Sequence, residues 1–108
     1  MPANFKYIDT AEKLDAVFAE SYVRPVALLK HSNSCGISSH TMYMIDEADA
    51  IEMNVIVIQE HRDLSNEVEM RTGHRHQSPQ VFVLRDGKPV YHATHYGIDP
   101  QKIVELLK

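Results

Sequence analysis

The sequence predicts an α/β fold in which helices pack on both faces of a mixed central sheet. Three features support this prediction. Apolar runs of strand length alternate along the chain with amphipathic segments of helix length. Two of the runs, "VALLK" (26–30) and "VIVIQ" (55–59), are almost wholly apolar, which is typical of parallel strands covered on both faces. The stretch 80–93 places a turn dipeptide between two strand-like runs, which predicts a hairpin.

The first predicted elements are a short strand and a helix. The strand is "FKYI" (5–8), whose residues alternate in character. The helix follows over 9–21, where Asp9 with Glu12 three residues later fits a capping box. The apolar residues at helical spacing in this segment are Ala11, Leu14, Val17 and Phe18.

Two further helices flank the second apolar strand. The helix after strand 26–30 is predicted from Gly36 to about Ala50. Its apolar face is formed by Ile37, Thr41, Ile45 and Ala48. The strand at 55–59 is rich in β-branched residues, which favour sheets. The next helix, over 63–73, ends at Gly73, because glycine commonly stops helices.

The chain closes with the hairpin, whose turn is at Asp86-Gly87, and with a last helix that begins at Asp99-Pro100. The resulting order is β-α-β-α-β-α-β-β-α. Its β-α-β units require parallel strands with right-handed crossovers, while the hairpin adds antiparallel strands. We expect a single domain over 1–108, because a chain of 108 residues fits one hydrophobic core.

The charge and hydrophobicity of the chain argue against several classes of function. The net charge of −4 disfavours nucleic-acid binding, which relies on a basic face. No run approaches the roughly 20 apolar residues that span a bilayer, and the first ten residues lack a signal-peptide pattern. The single cysteine precludes an internal disulfide. We therefore expect a cytoplasmic protein that binds neither nucleic acid nor membrane.

The only cysteine, Cys35 in "HSNSCGISSH" (31–40), lies between a buried strand and a helix. Ligand sites in open α/β sheets favour this position. A helix N-terminus offers unpaired N–H groups and a partial positive charge, and both stabilise the nucleophilic thiolate. We therefore predict that Cys35 is a catalytic nucleophile. The alternative is a cysteine that only packs near a helix start.

The residues around the thiol indicate the kind of chemistry. In a Cys-x-x-Cys site the second thiol resolves a mixed disulfide, but here Ser38 occupies that position. We expect Ser38 to donate its hydroxyl to the sulfur and Gly36 to allow a close approach of the chain. Lys30 and His76 are candidates for adding positive potential. The predicted reaction is monothiol exchange, in which Cys35 accepts a small thiol from a client protein and a thiol from solution regenerates it.

Ser78-Pro79, just before the predicted hairpin, has two interpretations. A trans proline at the first position of a strand is the ordinary one. A cis bond beside the thiol loop would instead expose the backbone of Ser78 to an extended substrate. Because only ~5–6% of X–Pro bonds are cis, the residues alone favour trans.

The seven histidines raise the question of a metal site. The spacings His74-x-His76 and His92-x-x-His95 invite that interpretation, but a metal site needs several converging ligands. The first pair lies in a predicted loop. We therefore expect these histidines to be polar surface or supporting residues, and we expect no bound metal or cofactor.

Three blocks of sequence resemble the signature blocks of the YtxJ-type monothiol bacilliredoxins, which have a thioredoxin-like fold. They are "KHSNSCGISS" (30–39), "HRHQSPQ" (74–80) and "YHATHYGID" (91–99). The resemblance implies a thioredoxin-like domain and a monothiol thiol–disulfide oxidoreductase. It implies that Cys35 removes bacillithiol, or an equivalent low-molecular-weight thiol that acts as co-substrate, from S-thiolated client proteins. It also implies that Pro79 is cis, and that Ser78 and Pro79 form the edge where substrate docks.

Two departures from the family pattern keep alternatives open. Gly36 replaces the usual proline and gives "CGIS", which is similar to the Cys-Gly-Phe-Ser of monothiol glutaredoxins, some of which hold an iron–sulfur cluster. Tyr91 and Tyr96 stand where the family often has tryptophan. The alternatives are an iron–sulfur carrier and a non-catalytic thioredoxin-like module for binding or redox sensing.

Overall fold

The computed structural model describes residues 2–48 and 50–108 and has the predicted alternation of strands and helices. The strands are β1 (Asn4–Tyr7), β2 (Val26–His31), β3 (Glu52–Val57), β4 (Gln80–Arg85) and β5 (Lys88–Thr94). The helices are α1 (Ala11–Glu20), α2 (Gly36–Glu47), α3 (Arg62–Thr72) and α4 (Pro100–Leu107), with a short 3₁₀ helix at His95–Gly97. Within the described residues, every helix is too short or too polar to cross a membrane.

The strands form one mixed sheet in the order β1-β3-β2-β4-β5. β3 pairs in parallel with β1 and with β2, because a helical crossover returns the chain in the same direction. β4 pairs antiparallel with β2 and with β5. The predicted mixed sheet is therefore confirmed, and the central strand β2 is buried along its whole length.

The central strands carry apolar side chains on both faces of the sheet. On one face, Leu28 and Phe82 pack with residues of α1 and α3. On the opposite face, Leu29 and Val81 pack with residues of α2 and α4. The helices thus cover both faces, as the sequence predicts, because strands that are apolar throughout need cover on each side.

Two predicted turns are confirmed by left-handed backbone conformations. Gly73 ends α3 with φ 75°, and its N–H donates to the C=O of Glu69 at 2.9 Å. Asp86 and Gly87 have φ 54° and 75°, so both central residues of the β4–β5 turn adopt the positive φ of a type I′ turn. This turn sets the register of the two residue pairs next to it, and an irregularity between Val83 and Leu84 shifts the register of the rest of the hairpin.

Several element boundaries differ from the prediction, those of α1 and β3 among them. Thr10 caps α1, since its hydroxyl accepts the N–H of Lys13 at 3.1 Å, and the capping box predicted at Asp9 is wrong. Asp9 instead forms a surface ion pair with Lys13 at 2.7 Å. β3 begins at Glu52 rather than at 55, because parallel pairing with β1 extends it towards its N-terminus. It ends at Val57 rather than at 59.

The buried face of α2 also differs from the prediction. Ser38, Thr41 and Ile45 are buried, whereas Ile37 is only half-buried, and the helix ends at Glu47 instead of near Ala50. The 3₁₀ helix His95–Gly97 has no counterpart among the predicted elements, because three residues are too few to show a periodic pattern.

Candidate active site

One edge of the sheet brings together the loops around the thiol. In the strand register, Lys30 pairs with Gln80 and Gln80 pairs with Thr94. The end of β2, the start of β4 and the end of β5 therefore lie side by side. Cys35 follows the first of these ends and Pro79 precedes the second. This edge holds the carboxyl ends of the parallel strands, where open α/β folds bind ligands.

Cys35 is the N-cap residue of α2, with an extended backbone and a half-buried side chain. Its C=O accepts the N–H of Ser39 at 3.2 Å, as the C=O of an N-cap residue does. The backbone N–H of Ser38 lowers the pKa of the Cys35 thiol most, burial raises it, and the N–H of Ile37 and the hydroxyl of Ser38 lower it further. The Cys35 side chain forms no capping hydrogen bond with α2, so the N–H groups and the Ser38 hydroxyl act on the sulfur mainly as dipoles. The net shift is downward.

The Ser38 side chain is fully buried in the first turn of α2. Its Oγ accepts a hydrogen bond from the backbone N–H of Ser32 at 3.3 Å. That bond occupies a lone pair and leaves the hydroxyl proton free for the sulfur of Cys35, whose pKa it helps to lower. The geometry is compatible with the predicted role of Ser38, which stays a prediction.

The loop that leads into Cys35 is fastened by Gln59, a residue predicted only as the last member of a strand. The Gln59 Nε2 donates to Ser32 Oγ at 2.7 Å and to Ser34 Oγ at 3.0 Å. The Gln59 Oε1 accepts the N–H of Asn33 at 3.1 Å. The sequence signal for Gln59 is its position: it is a polar residue at the end of an apolar strand, at the edge of the sheet where the thiol lies.

The Ser78–Pro79 peptide bond is cis, so the isomer implied by the family resemblance is confirmed. Pro79 is buried and Ser78 is half-buried. The C=O of Pro79 accepts the N–H of His95 at 3.0 Å, which attaches the 3₁₀ helix to this segment. His95 has φ 51°, a left-handed conformation that non-glycine residues seldom adopt. The role of Ser78 and Pro79 in binding substrate stays a prediction.

Gly36 is the exposed first residue of α2. Apart from its chain neighbours and the backbone of α2, a Cβ built at this position would have no heavy atom within 4 Å. The fold therefore does not require glycine here, and its absence of a side chain leaves open space next to Cys35. That space suits the predicted contact with substrate.

Lys30 and His76, the two residues predicted to tune the thiol, contact each other. Lys30 is fully buried, and its Nζ lies 3.5 Å from Nδ1 of His76. Burial lowers the pKa of the Lys30 ammonium from 10.5 to about 8, while Glu69 opposes the shift. Burial and the positive charge of Lys30 lower the pKa of His76, although Glu69 again opposes.

The groups that shift the pKa of Cys35 all belong to α2, and they do not include Lys30 or His76. The two residues therefore lie at the same edge of the sheet as the thiol but form a separate cluster. Ser65 in α3 belongs to this cluster, since its Oγ lies 3.1 Å from Nδ1 of His76. Ser65 was not among the predicted site residues, because it carries no local signal for this contact.

His74 and His92 pack against each other and against the sheet. The rings of His74 and His92 are stacked, with centroids 3.9 Å apart, and His92 Nε2 lies 2.9 Å from Nε2 of Gln80. Among residues 2–48 and 50–108, no three His, Cys, Asp or Glu side chains converge in a way that could hold a metal ion.

We predict that the Cys35 thiol ionises at lower pH in the folded protein than in the unfolded chain. The alkylation rate by iodoacetamide, measured against pH, should have its midpoint below the ~8.5 of a free cysteine. The same measurement in concentrated urea is the control. Since the pKa is lower in the folded state, the thiolate stabilises the fold only as pH rises, with the full effect above the unfolded pKa. Coincident midpoints would favour a non-catalytic module.

Comparison with known proteins supports the fold and the family that the sequence predicts. A family model described as monothiol bacilliredoxin BrxC matches residues 6–103. A solved structure described as a proposed oxidoreductase with a thioredoxin fold is 25% identical, with a TM-score of 0.79 over 96% of this chain and 94% of that one. Two thioredoxins, each 15% identical to this chain, share the fold. Thioredoxin NaTrxh of Nicotiana alata has a TM-score of 0.75, and the match covers 100% of this chain and 96% of that one. The thioredoxin of Malassezia sympodialis has a TM-score of 0.73, and the match covers 100% of this chain and 94% of that one. The predicted thioredoxin-like fold is confirmed.

Proposed function

We propose that this chain, which belongs to the monothiol bacilliredoxin BrxC family, removes a low-molecular-weight thiol from client proteins that carry it as a mixed disulfide. Family membership and the oxidoreductase neighbour make the chain a thiol–disulfide redox protein. The finer proposal is that the small thiol is bacillithiol or an equivalent, and that the clients are S-thiolated proteins of a reducing, cytoplasmic environment.

The proposed reaction consists of two thiol–disulfide exchanges. The Cys35 thiolate attacks the sulfur of the small thiol in the client's mixed disulfide, so that a bond between these two sulfurs forms and the client's S–S bond breaks. The client leaves as a thiolate and takes up a proton. A second small thiolate then attacks the adduct on Cys35, which releases a small-molecule disulfide and restores the Cys35 thiolate. Each step exchanges one disulfide for another, so no further oxidant or reductant is needed.

One observation carries this proposal: the only cysteine of the chain is the N-cap of α2, and Ser38 fills the position of a resolving thiol. The helix start lowers the pKa of Cys35, which raises the fraction of attacking thiolate near neutral pH. Because Ser38 cannot form a disulfide, the adduct on Cys35 is removed only by a thiol from solution. The open space at Gly36 and the segment Ser78–Pro79 offer surfaces for the incoming disulfide.

Transfer of the adduct can be followed by intact-mass spectrometry. The reduced protein is mixed with a single-cysteine client that carries bacillithiol as a mixed disulfide. We expect the mass of bacillithiol to appear on this chain as it disappears from the client, and to leave again when free bacillithiol is added. A peptide map assigns the adduct to Cys35.

The matched control is Cys35→Ser, which keeps the size of the side chain and removes the nucleophile. This variant should leave the client's adduct in place. Release from the client at an equal rate by the wild type and by Cys35→Ser would refute the mechanism. A wild-type protein that ionises at low pH yet accepts no adduct would indicate a redox sensor instead.

A further inference from the structure

A small cavity of about 160 Å³ lies at the start of α3, on the side of the sheet where α1 and α3 pack. The described residues that line it are Ile58, Arg62, Ser65, Asn66 and His76, and none of them carries a carboxylate. Their polar groups include a guanidinium, an amide, a hydroxyl and an imidazole, all of which are able to donate hydrogen bonds. The chemistry of the lining therefore suits a small anion.

This cavity is next to the segments that surround the thiol. The N–H of Ile58 donates to the C=O of His31, the last residue of β2, at 2.9 Å. The next residue, Gln59, holds the loop that leads into Cys35 through Ser32 and Ser34. On the other side, His76 is three residues before Pro79. The cavity is thus at the same edge of the sheet as Cys35, where β2 and β3 end.

The buried charge of Lys30 lies behind the lining of the cavity, where it contacts His76. Lys30 is 0% exposed, and its Nζ contacts Nδ1 of His76 at 3.5 Å. Among the described residues, no carboxylate lies within the 4.0 Å of an ion pair with this ammonium. Buried charges are normally paired, because an unpaired one loses its hydration without compensation. The carboxylate that acts on Lys30 from further away is Glu69, whose Oε1 already accepts the backbone N–H of His76 at 2.8 Å.

The hydrogen bonds of His76 determine what its ring offers to a ligand. Its Nδ1 faces the Nζ of Lys30 and the hydroxyl of Ser65, so this nitrogen is the acceptor. The ring is then neutral and carries its proton on Nε2, which remains available as a donor. The start of α3 adds to the positive potential, since His61 gives it no side-chain cap, although the exposed Asp63 in the first turn opposes this.

We propose that this cavity is an anion subsite that binds the carboxylate of the low-molecular-weight thiol while Cys35 attacks its sulfur. The inference rests on the proposed function and adds a determinant of specificity to it. Small cellular thiols built on an amino acid carry at least one carboxylate. Arg62 and His76 supply donors in the lining of the cavity, and the buried Lys30, which contacts His76, adds positive charge behind it. Uncharged small thiols of the same size lack this interaction.

The test compares two adducts that differ only in charge. A single-cysteine peptide is prepared as the mixed disulfide of N-acetylcysteine and, separately, of N-acetylcysteine amide. The rate of transfer to Cys35 is measured for each adduct, and the rate for the carboxylate adduct is divided by the rate for the amide adduct. This ratio is then normalised by the same ratio of rates for cleavage by dithiothreitol, which has no subsite. We expect the wild type to prefer the carboxylate adduct by about tenfold or more, as one charge-assisted hydrogen bond would give.

Three variants examine the source of this preference. Lys30→Met removes the charge and shortens the unbranched side chain by one atom. Arg62→Gln removes a charge at an exposed position, where the fold should tolerate the change. Both should bring the normalised ratio towards one. Arg24→Gln is the matched control, because Arg24 is exposed and follows α1, away from the thiol edge; it should keep the wild-type ratio.

The outcomes separate the subsite from the proposed function. If neither these adducts nor the bacillithiol adduct of the same peptide reaches Cys35, the exchange reaction itself is refuted. If both adducts are transferred but the wild-type ratio is near one, the subsite is refuted and the exchange reaction stands. A tenfold preference that survives in Arg62→Gln and in folded Lys30→Met also refutes the assignment to this cavity.

Discussion

Replacing Ser38 by cysteine is expected to convert the protein from one that holds a small-thiol adduct into one that expels it. The Ser38 side chain already acts on the sulfur of Cys35, so a thiol at this position lies within reach of an adduct there. Attack by the introduced thiol would form an internal disulfide and release the small thiol. Because an intramolecular nucleophile has a very high effective concentration, the lifetime of the adduct should fall by at least about a hundredfold.

Intact-mass spectrometry after exposure to the S-thiolated client measures this change. In place of the adduct, the Ser38→Cys variant should accumulate its internal disulfide, which is lighter than the reduced variant by two hydrogen atoms. The matched control is Ser39→Cys, whose new thiol is exposed and lies one residue further round the helix. Equal accumulation of adduct in the two variants would show that position 38 does not face the sulfur of Cys35.

Replacing Phe82 by alanine should produce the largest loss of stability, about 3–5 kcal/mol of the free energy of unfolding. Phe82 is fully buried in β4 and pairs across the strands with Leu28 and His92. Its ring centroid lies 5.1 Å from that of His92 and 5.8 Å from that of His74. Truncation leaves a cavity at the centre of the α1–α3 side of the core. The melting temperature should fall by more than about 10 °C.

The control for Phe82→Ala is Val90→Ala in the neighbouring strand β5. Val90 is 53% exposed, so its truncation should change the free energy of unfolding by about 0.5 kcal/mol or less. Thermal unfolding followed by circular dichroism measures both variants. Similar melting temperatures for the two would contradict the assignment of Phe82 to the core.

Most of the fold was predictable because its signals are local. The apolar runs of β2 and β3, the turn at Asp86-Gly87 and the stop at Gly73 are each encoded within a few residues. The capping box at Asp9 was a local error, since Thr10 is the cap, whereas two other errors occurred where tertiary contacts override local preference. Pairing with β1 extends β3 back to Glu52, and packing against the sheet buries Ser38 in place of Ile37.

The predicted nucleophile can be read from the sequence alone: one cysteine after a strand and before a helix, with serine where a second thiol would stand. These residues are neighbours along the chain, so the geometry of one loop and one helical turn fixes their arrangement. What surrounds these residues depends on the tertiary structure. Lys30 and His76 are 46 positions apart, and Gln59 holds a loop 25 to 27 positions away. Such contacts depend on strand register and helix packing, which no local pattern of residues specifies.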